Sequence, residues 1–272
     1  MSTKAKLNTL IFNILLVVIF IHSCENKEED IEPEPEPPKE DFEIINGSLE
    51  DIDGNIYVTV FIGGQEWMAE NLKTTRYRDG TEIEYIGNDN DAWKGNATEA
   101  YSWYHNLESN KNIYGAIYNW HAVDDPRGLC PDGWRVPDDQ DWTQLGNYLM
   151  SEFNISNDKG DVKALGNRLK SCRQAGSPLG PDCDTNEHPR WHKHGIHHGF
   201  DDFGFAALPI GSRSNEGTFI SNSGYYGNWW SSTAHSLSAA YSRYITYDNG
   251  QLFRTGSNML NGYAVRCMRN YQ

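Results

Sequence analysis

The chain has 272 residues and a formal net charge of −15 at pH 7, with 23 Lys and Arg against 38 Asp and Glu. This acidity argues against a nucleic-acid partner, because phosphates attract basic surfaces. Nine Trp, 15 Tyr and 25 Gly, with few long periodic apolar runs, predict short strands joined by much ordered loop rather than long helices.

The N-terminus has the features of an export signal. Lys4 and Lys6 precede an apolar run over residues 7–21. In a helix these residues would span roughly 22 Å, which is less than the roughly 30 Å hydrocarbon core of a bilayer. We therefore predict a cleaved signal peptide over residues 1–23 rather than a permanent membrane span.

The end of this run, Ile21-His22-Ser23-Cys24, resembles a bacterial lipobox. Ile21 and Ser23 fit the pattern, whereas His22 replaces the usual small or apolar residue. The resemblance implies acylation of Cys24, and stable anchoring needs more than one lipid chain. The alternative is an ordinary secretory signal that contains a cysteine.

Residues 24–43 are predicted to be a disordered tether. Residues 25–43 hold ten acidic side chains and two lysines, a net charge of −8; the leader contributes +2, so residues 44–272 carry −9. The Glu-Pro stretch at 32–38 cannot bury apolar area. The acidic cluster at 27–30 resembles an export tag for the outer face of the outer membrane, although a plain spacer would look similar. We predict a surface-exposed outer-membrane lipoprotein of a Gram-negative bacterium.

Residues 44–272 are predicted to form one domain, which contains the cysteines Cys130, Cys172, Cys183 and Cys267. An even number of cysteines in an exported chain favours disulfides. Three pairings are possible. We choose Cys130–Cys267 and Cys172–Cys183, the second because it closes a short loop rich in Gly and Pro. A zinc site is the competing interpretation, but the C-x-x-C spacing is absent.

The predicted secondary structure combines strands with two helices. A β-rich run over 56–62, the pair Gly63-Gly64 and residues 65–68 predict a hairpin. Asp138 is a predicted N-cap of one amphipathic helix, and a second helix is predicted over 161–170. Further short strands are predicted over 204–209, 227–233, 239–247, 251–254 and 262–268, and residues 101–104 and 113–120 are predicted to be short strands or aromatic-packed segments. This order indicates an α+β domain.

Several separated motifs carry a resemblance to a known family. They are Asp53-Gly54-Asn55-Ile56-Tyr57, Trp67-Met68-Ala69-Glu70-Asn71-Leu72, Cys130-Pro131-Asp132-Gly133-Trp134-Arg135-Val136-Pro137, Asp202-Phe203-Gly204-Phe205-Ala206-Ala207-Leu208-Pro209, Trp229-Trp230-Ser231-Ser232-Thr233 and Val265-Arg266-Cys267. In this order they resemble the Fibrobacter succinogenes major paralogous domain over about residues 49–270. The resemblance implies a C-type-lectin-like fold with two helices, antiparallel strands, long irregular loops and neighbouring termini. It implies little about activity, because a fold does not determine a function.

Five aromatic residues are candidate ligand contacts: Trp191, Tyr225, Tyr226, Trp229 and Trp230. Aromatic faces provide stacking surface for sugars and anchors for proteins. The alternative is that the tryptophans fill the core, which is favoured for at least one of the pair at 229–230. The calcium-binding triplets of sugar-binding C-type lectins are absent, so calcium-dependent sugar binding is not expected.

Five histidines within eleven residues form the most unusual local segment. His188, His192, His194, His197 and His198 are candidate ligands for a transition metal. The favoured alternative is a polar loop whose imidazoles point in different directions, because a flexible loop seldom holds ligands ready for a metal. We therefore expect neither a bound metal nor another cofactor.

The sequence contains no nucleophile elbow, H-E-x-x-H, P-loop or dinucleotide motif. We predict a non-catalytic, surface-anchored recognition or adhesion domain for a protein or glycan ligand. The alternatives are a metal-dependent enzyme built on residues 188–198 and an architectural protein of the cell envelope.

Overall fold

The computed structural model describes residues 46–161, 163–171, 191–192, 194–197, 199–220 and 224–271. The predicted leader and tether, with Cys24, lie outside these residues. So do Cys172, Cys183, His188 and His198. Within the described ranges, none of the helices combines the length and the apolar character needed to span a bilayer.

Short strands dominate the described residues, and long irregular segments connect them. The strands are β1 (Asn46–Glu50), β2 (Ile56–Ile62), β3 (Gln65–Met68), β4 (Glu84–Tyr85), β5 (Ala100–Trp103), β6 (Ala116–Tyr118), β7 (Ser212–Arg213), β8 (Phe219–Ile220), β9 (Tyr226–Ala234), β10 (Ala239–Thr246), β11 (Phe253–Asn258) and β12 (Met268–Asn270). The helices are α1 (Asn90–Trp93), α2 (Lys111–Tyr114), α3 (Trp120–Val123), α4 (Asp139–Glu152) and α5 (Leu165–Leu169). The domain is α+β with mostly antiparallel sheets, as predicted, although its helices are more numerous and mostly shorter.

The first sheet joins the two ends of the domain. Its strand order is β1-β2-β3-β12, and every pair is antiparallel. The hairpin between β2 and β3 turns at Gly63, whose φ of 61° favours glycine. Trp67 of β3 pairs with Val60 on one side and with Met268 on the other. The last strand therefore closes this sheet beside the N-terminal hairpin.

A disulfide ties the middle of the chain to its last segment. Cys130 is bonded to Cys267, with 5.8 Å between their Cα atoms and a sequence separation of 137 residues. Both cysteines are buried in an aromatic cluster that includes Trp134 and Trp230. A cross-link over such a separation stabilises the fold by roughly 4–5 kcal/mol, because it restricts the unfolded chain. This is the bond predicted from the sequence.

Helix α4 begins at the N-cap predicted from the sequence. Asp138 Oδ1 accepts a hydrogen bond from the Asp141 amide at 2.7 Å, and Asp141 Oδ2 accepts one from the Asp138 amide at 2.9 Å. These two bonds form a capping box. One turn later Trp142 packs against Trp67 of β3, with ring centroids 4.8 Å apart. The helix therefore covers the buried face of the first sheet.

The second predicted helix, over residues 161–170, is shorter in the structure. Asp161 Oδ1 accepts a hydrogen bond from the Lys163 amide at 2.8 Å. This side-chain turn competes with the helical conformation, and Ala164 is extended, with ψ of 158°. Helix α5 consequently starts only at Leu165.

The predicted strand over residues 204–209 is wrong. Ala206 has a φ of 47°, outside the range of a strand. The buried Arg266 guanidinium donates hydrogen bonds to the Phe205 and Ala206 carbonyls, so that these oxygens are not available to a ladder. Similarly, residues 262–264 form isolated bridges and residues 265–267 are irregular, so the continuous closing strand predicted over 262–268 is not formed.

The C-terminal sheet has the strand order β11-β10-β9 and is antiparallel. Tyr244 of β10 pairs with Asn228 on one side and with Phe253 on the other. Residues that are paired directly across two antiparallel strands lie on the same face of the sheet, so these three residues share one face. Side chains alternate along each strand. Trp229 and Ile245 lie on the opposite face and belong to the core. The sheet therefore has one covered face and one face that is partly open.

Candidate functional site

A groove lies on the open face of the C-terminal sheet. Its volume is about 350 Å³, near the lower end of the range for small-molecule sites, roughly 300–1,000 Å³. The lining residues are Gly211, Ser212, Ile220, Tyr226, Asn228, Tyr244, Thr255 and Tyr263. The sheet thus contributes one wall and the β7–β8 hairpin contributes the rim, and we call this feature the sheet groove.

Two tyrosines give the sheet groove its aromatic surface. Tyr226 is 38% exposed, and Tyr244 is half-buried. Tyr244 packs against Phe253 with ring centroids 4.5 Å apart and 6° between the planes. Burial raises the pKa of Tyr244, and the neighbouring Tyr226 adds to the effect. The groove therefore presents aromatic faces whose position is supported by packing, and the Tyr244 hydroxyl stays protonated at neutral pH.

Polar side chains of the sheet groove retain hydrogen-bonding capacity. Asn228 Nδ2 donates to the Gly211 carbonyl at 3.2 Å, which leaves Asn228 Oδ1 as an acceptor. Within the described residues, neither this oxygen nor the hydroxyls of Ser212, Tyr226 and Tyr244 have a hydrogen-bond partner. Among the described residues that line the groove, none has a side chain that is charged at neutral pH. This arrangement suits a neutral ligand that has both apolar faces and hydroxyl groups.

Residues 191–192 and 194–197, which we call the histidine segment, contain three of the five histidines. Two of these, His192 and His194, pack against aromatic residues beside the start of β9. His192 stacks on Tyr225 with centroids 4.5 Å and planes 27° apart, and Tyr225 contacts Tyr247 at 4.8 Å. His194 and His197 stack on each other at 4.9 Å. In the part of the chain that the structure describes, no three His, Cys, Asp or Glu side chains are grouped to hold a metal ion. Two of the five histidines lie outside that part, so the metal-enzyme alternative stays a prediction.

A buried lysine connects to this segment. Lys170 Nζ donates to Asn167 Oδ1 at 2.8 Å and to the Asn249 carbonyl at 3.1 Å. Burial lowers the pKa of Lys170 to about 7, and the charge of Asp248 opposes this shift. Asn167 Nδ2 lies 3.1 Å from His197 Nδ1. Because the lysine occupies the amide oxygen, the amide nitrogen is the group that faces His197 Nδ1.

Three of the five predicted aromatic contacts are core residues. Trp191 is 2% exposed, and Trp229 and Trp230 are 0% exposed. Their indole N–H groups donate, respectively, to the Ala207 carbonyl, Asn71 Oδ1 and the Tyr118 carbonyl. Such buried, hydrogen-bonded indoles present no surface to a ligand, and we remove these three residues from the candidate site. Tyr225 and Tyr226 keep part of their surface exposed.

The sequence-based prediction missed most of the sheet groove. It included Tyr226 but not Tyr244, although both lie on the same face of the sheet. The alternation of side chains along β9 could have indicated this face, because Asn228 points away from the side that its core neighbour Trp229 occupies. The rim contributed by the β7–β8 hairpin had no signal in the sequence, since it depends on contacts between distant segments.

Comparison with known proteins identifies the family. The family model described as the Fibrobacter succinogenes major domain matches residues 60–269, more than three quarters of the chain. No curated protein and no solved structure matches. The matched region contains both cysteines of the disulfide and every lining residue of the sheet groove. The chain belongs to the Fibrobacter succinogenes major domain family.

Proposed function

We propose that this protein is an outer-membrane lipoprotein that holds a non-catalytic recognition domain at the cell surface. The sheet groove is its binding face, and the ligand is a glycan or a protein. The leader over residues 1–23, the lipobox-like Cys24 and the acidic tether over residues 24–43 support the anchored location. On this proposal the tether serves to carry the domain away from the membrane.

The sheet groove is the observation that carries the proposal. It combines aromatic faces with unpaired hydroxyl and amide groups, a combination found in sites that bind ligands. Of the described residues that line it, none has a carboxylate, imidazole, thiol or amine that could act as a base to activate the Ser212 hydroxyl. The chemistry of the groove therefore supports binding rather than catalysis.

A C-type-lectin-like fold is part of the same proposal. Three observations support it: the pairing of β3 with β12 near the two ends of the domain, the disulfide between Cys130 and Cys267, and the long irregular connections. The sheet groove lies on one face of the C-terminal sheet, with the β7–β8 hairpin at its rim.

The binding face is tested with arrays of glycans and of peptides probed with the full chain. We expect wild type to bind members of one array and Tyr244→Ala to lose at least about tenfold in affinity, a change of about 1.4 kcal/mol. Tyr241→Ala is the matched control, because Tyr241 lies on the opposite face of the same strand. Equal binding by both variants, or no binding to either array, would contradict the proposal.

The anchor is tested separately by mass spectrometry of the mature N-terminus. We expect a chain that begins at an acylated Cys24. A mature chain that begins elsewhere, or that carries an unmodified Cys24, would remove the lipoprotein part of the proposal and leave the binding face unaffected.

A further inference from the structure

We infer that the ligand of the sheet groove is a neutral carbohydrate, held by stacking of a pyranose ring on the tyrosines. This inference rests on the proposed function and adds the chemical class of the ligand. It draws on three independent properties of the groove: its aromatic surface, its uncharged polar groups and its position on a sheet face.

The aromatic surface fits the C–H face of a sugar ring. Tyr226 and Tyr244 both line the groove, and Tyr244 is supported from the side by its parallel stack with Phe253. A ring that is already immobilised loses little conformational freedom when a ligand stacks on it. The aliphatic side chain of Ile220, 44% exposed, extends the apolar surface at the rim. These residues give a flat ligand a preformed contact area.

The uncharged polar groups fit hydroxyls. Asn228 Oδ1 accepts hydrogen bonds, and the hydroxyls of Ser212, Tyr226 and Tyr244 both donate and accept. Sugar hydroxyls have the same dual character, so that each can pair with these groups. A uronic acid or a phosphate, by contrast, finds no cation among the lining residues that the structure describes. It is also repelled by a domain that carries −9 over residues 44–272.

The position of the groove on a sheet face disfavours an extended peptide. Peptides commonly add to an exposed sheet edge, where unpaired backbone groups bond to them. In the sheet groove the central strand β10 is paired on both sides, with β9 and with β11. A peptide lying here would contact side chains but would find no unpaired backbone N–H or C=O group on β10. A carbohydrate does not need such backbone groups.

The test is affinity electrophoresis of the full chain in gels that contain one polysaccharide each. The neutral probes are mannan, xylan and a soluble glucan, and polygalacturonate is the acidic probe. We expect at least one neutral probe to retard wild type and polygalacturonate to have no effect at the same ionic strength. Tyr226→Ala should weaken retardation at least about fivefold, whereas Tyr241→Ala should leave it unchanged.

Further variants separate stacking from general damage to the fold. Tyr244→Phe keeps the ring and should retain binding within about threefold, whereas Tyr244→Ala should lose at least about tenfold, which is about 1.4 kcal/mol. Urea midpoints show whether Tyr244→Ala remains folded. If it does not, retardation of Tyr226→Ala, a variant at an exposed residue, tests the stacking instead.

Three results would overturn the inference: polygalacturonate binding as tightly as every neutral probe, unchanged retardation in both alanine variants, or retardation by none of the neutral probes. If the chain then binds peptides through the same tyrosines, the recognition proposal survives without the carbohydrate assignment. If it binds neither class, both proposals fail.

Discussion

Lys170 makes the folding stability of this protein depend on pH in a defined direction. The pKa of this buried amine is about 7 in the folded chain, against 10.5 for an ordinary lysine. Between these values the unfolded chain binds a proton that the folded chain does not. Folding stability therefore rises as the pH increases from 7 towards 10.5 and is independent of this group below and above that window.

The expected change is large enough to measure. Each pH unit inside the window contributes about 1.4 kcal/mol to the free energy of unfolding. Between pH 7.5 and pH 9.5 wild type should thus gain about 2–3 kcal/mol from Lys170. Lys170→Met removes this pH dependence, even though the loss of the hydrogen bonds to Asn167 and Asn249 also changes the stability by an amount that does not vary with pH.

The assay is urea unfolding at both pH values for wild type, Lys170→Met and Lys163→Met. Lys163 is exposed, so its variant should keep the slope of wild type. If Lys170→Met is too unstable to fold, Lys170→Gln retains a donor at this position and serves instead. Equal slopes in wild type and in the position-170 variants would refute the reasoning, because Lys170 would then keep its proton in the folded chain.

Three further predictions concern the disulfide, the core and the histidine segment. Cys130→Ser with Cys267→Ser should lower the free energy of unfolding by roughly 4–5 kcal/mol in urea titrations; a loss below about 1 kcal/mol contradicts the entropic account. Trp229→Ala should cost roughly 3–5 kcal/mol in the same assay, and a smaller cost than an exposed substitution would contradict its core position. Asn167→Ala removes the amide group that contacts His197 Nδ1, so hydrogen exchange of residues 194–197 should accelerate; exchange that is unchanged in this variant contradicts this contact.

Local features of the fold could be predicted from the sequence. The capping box at Asp138 follows from side chains three residues apart, and the β2–β3 hairpin follows from β-branched residues around Gly63. Each signal acts over a few residues and is therefore visible in the chain. The pairing of Cys130 with Cys267 was one of three possibilities, and it was chosen together with motifs that resemble the family.

Features that depend on long-range contacts could not be predicted in the same way. The carbonyls at 205–206 bond to Arg266, about sixty residues later, and this contact replaces the predicted strand. The sequence alone leaves Trp229 either as a stacking residue or as a core residue. Its core position depends on Asn71, 158 positions away, which supplies a buried acceptor for the indole N–H. The sheet groove likewise needs the β7–β8 hairpin beside β10. Nothing local in the sequence specifies these neighbours.

Hydroxyl-radical footprinting tests most directly whether the sheet groove holds the ligand. Oxidation of Tyr226, Tyr244 and Tyr241 is measured by mass spectrometry with and without the neutral polysaccharide that retards the chain most strongly. We expect protection of Tyr226 and Tyr244, with Tyr241, on the opposite face, oxidised as in the free protein. Unchanged oxidation of Tyr226 and Tyr244, or protection confined to Tyr225 and the histidine segment, would contradict the proposed binding face.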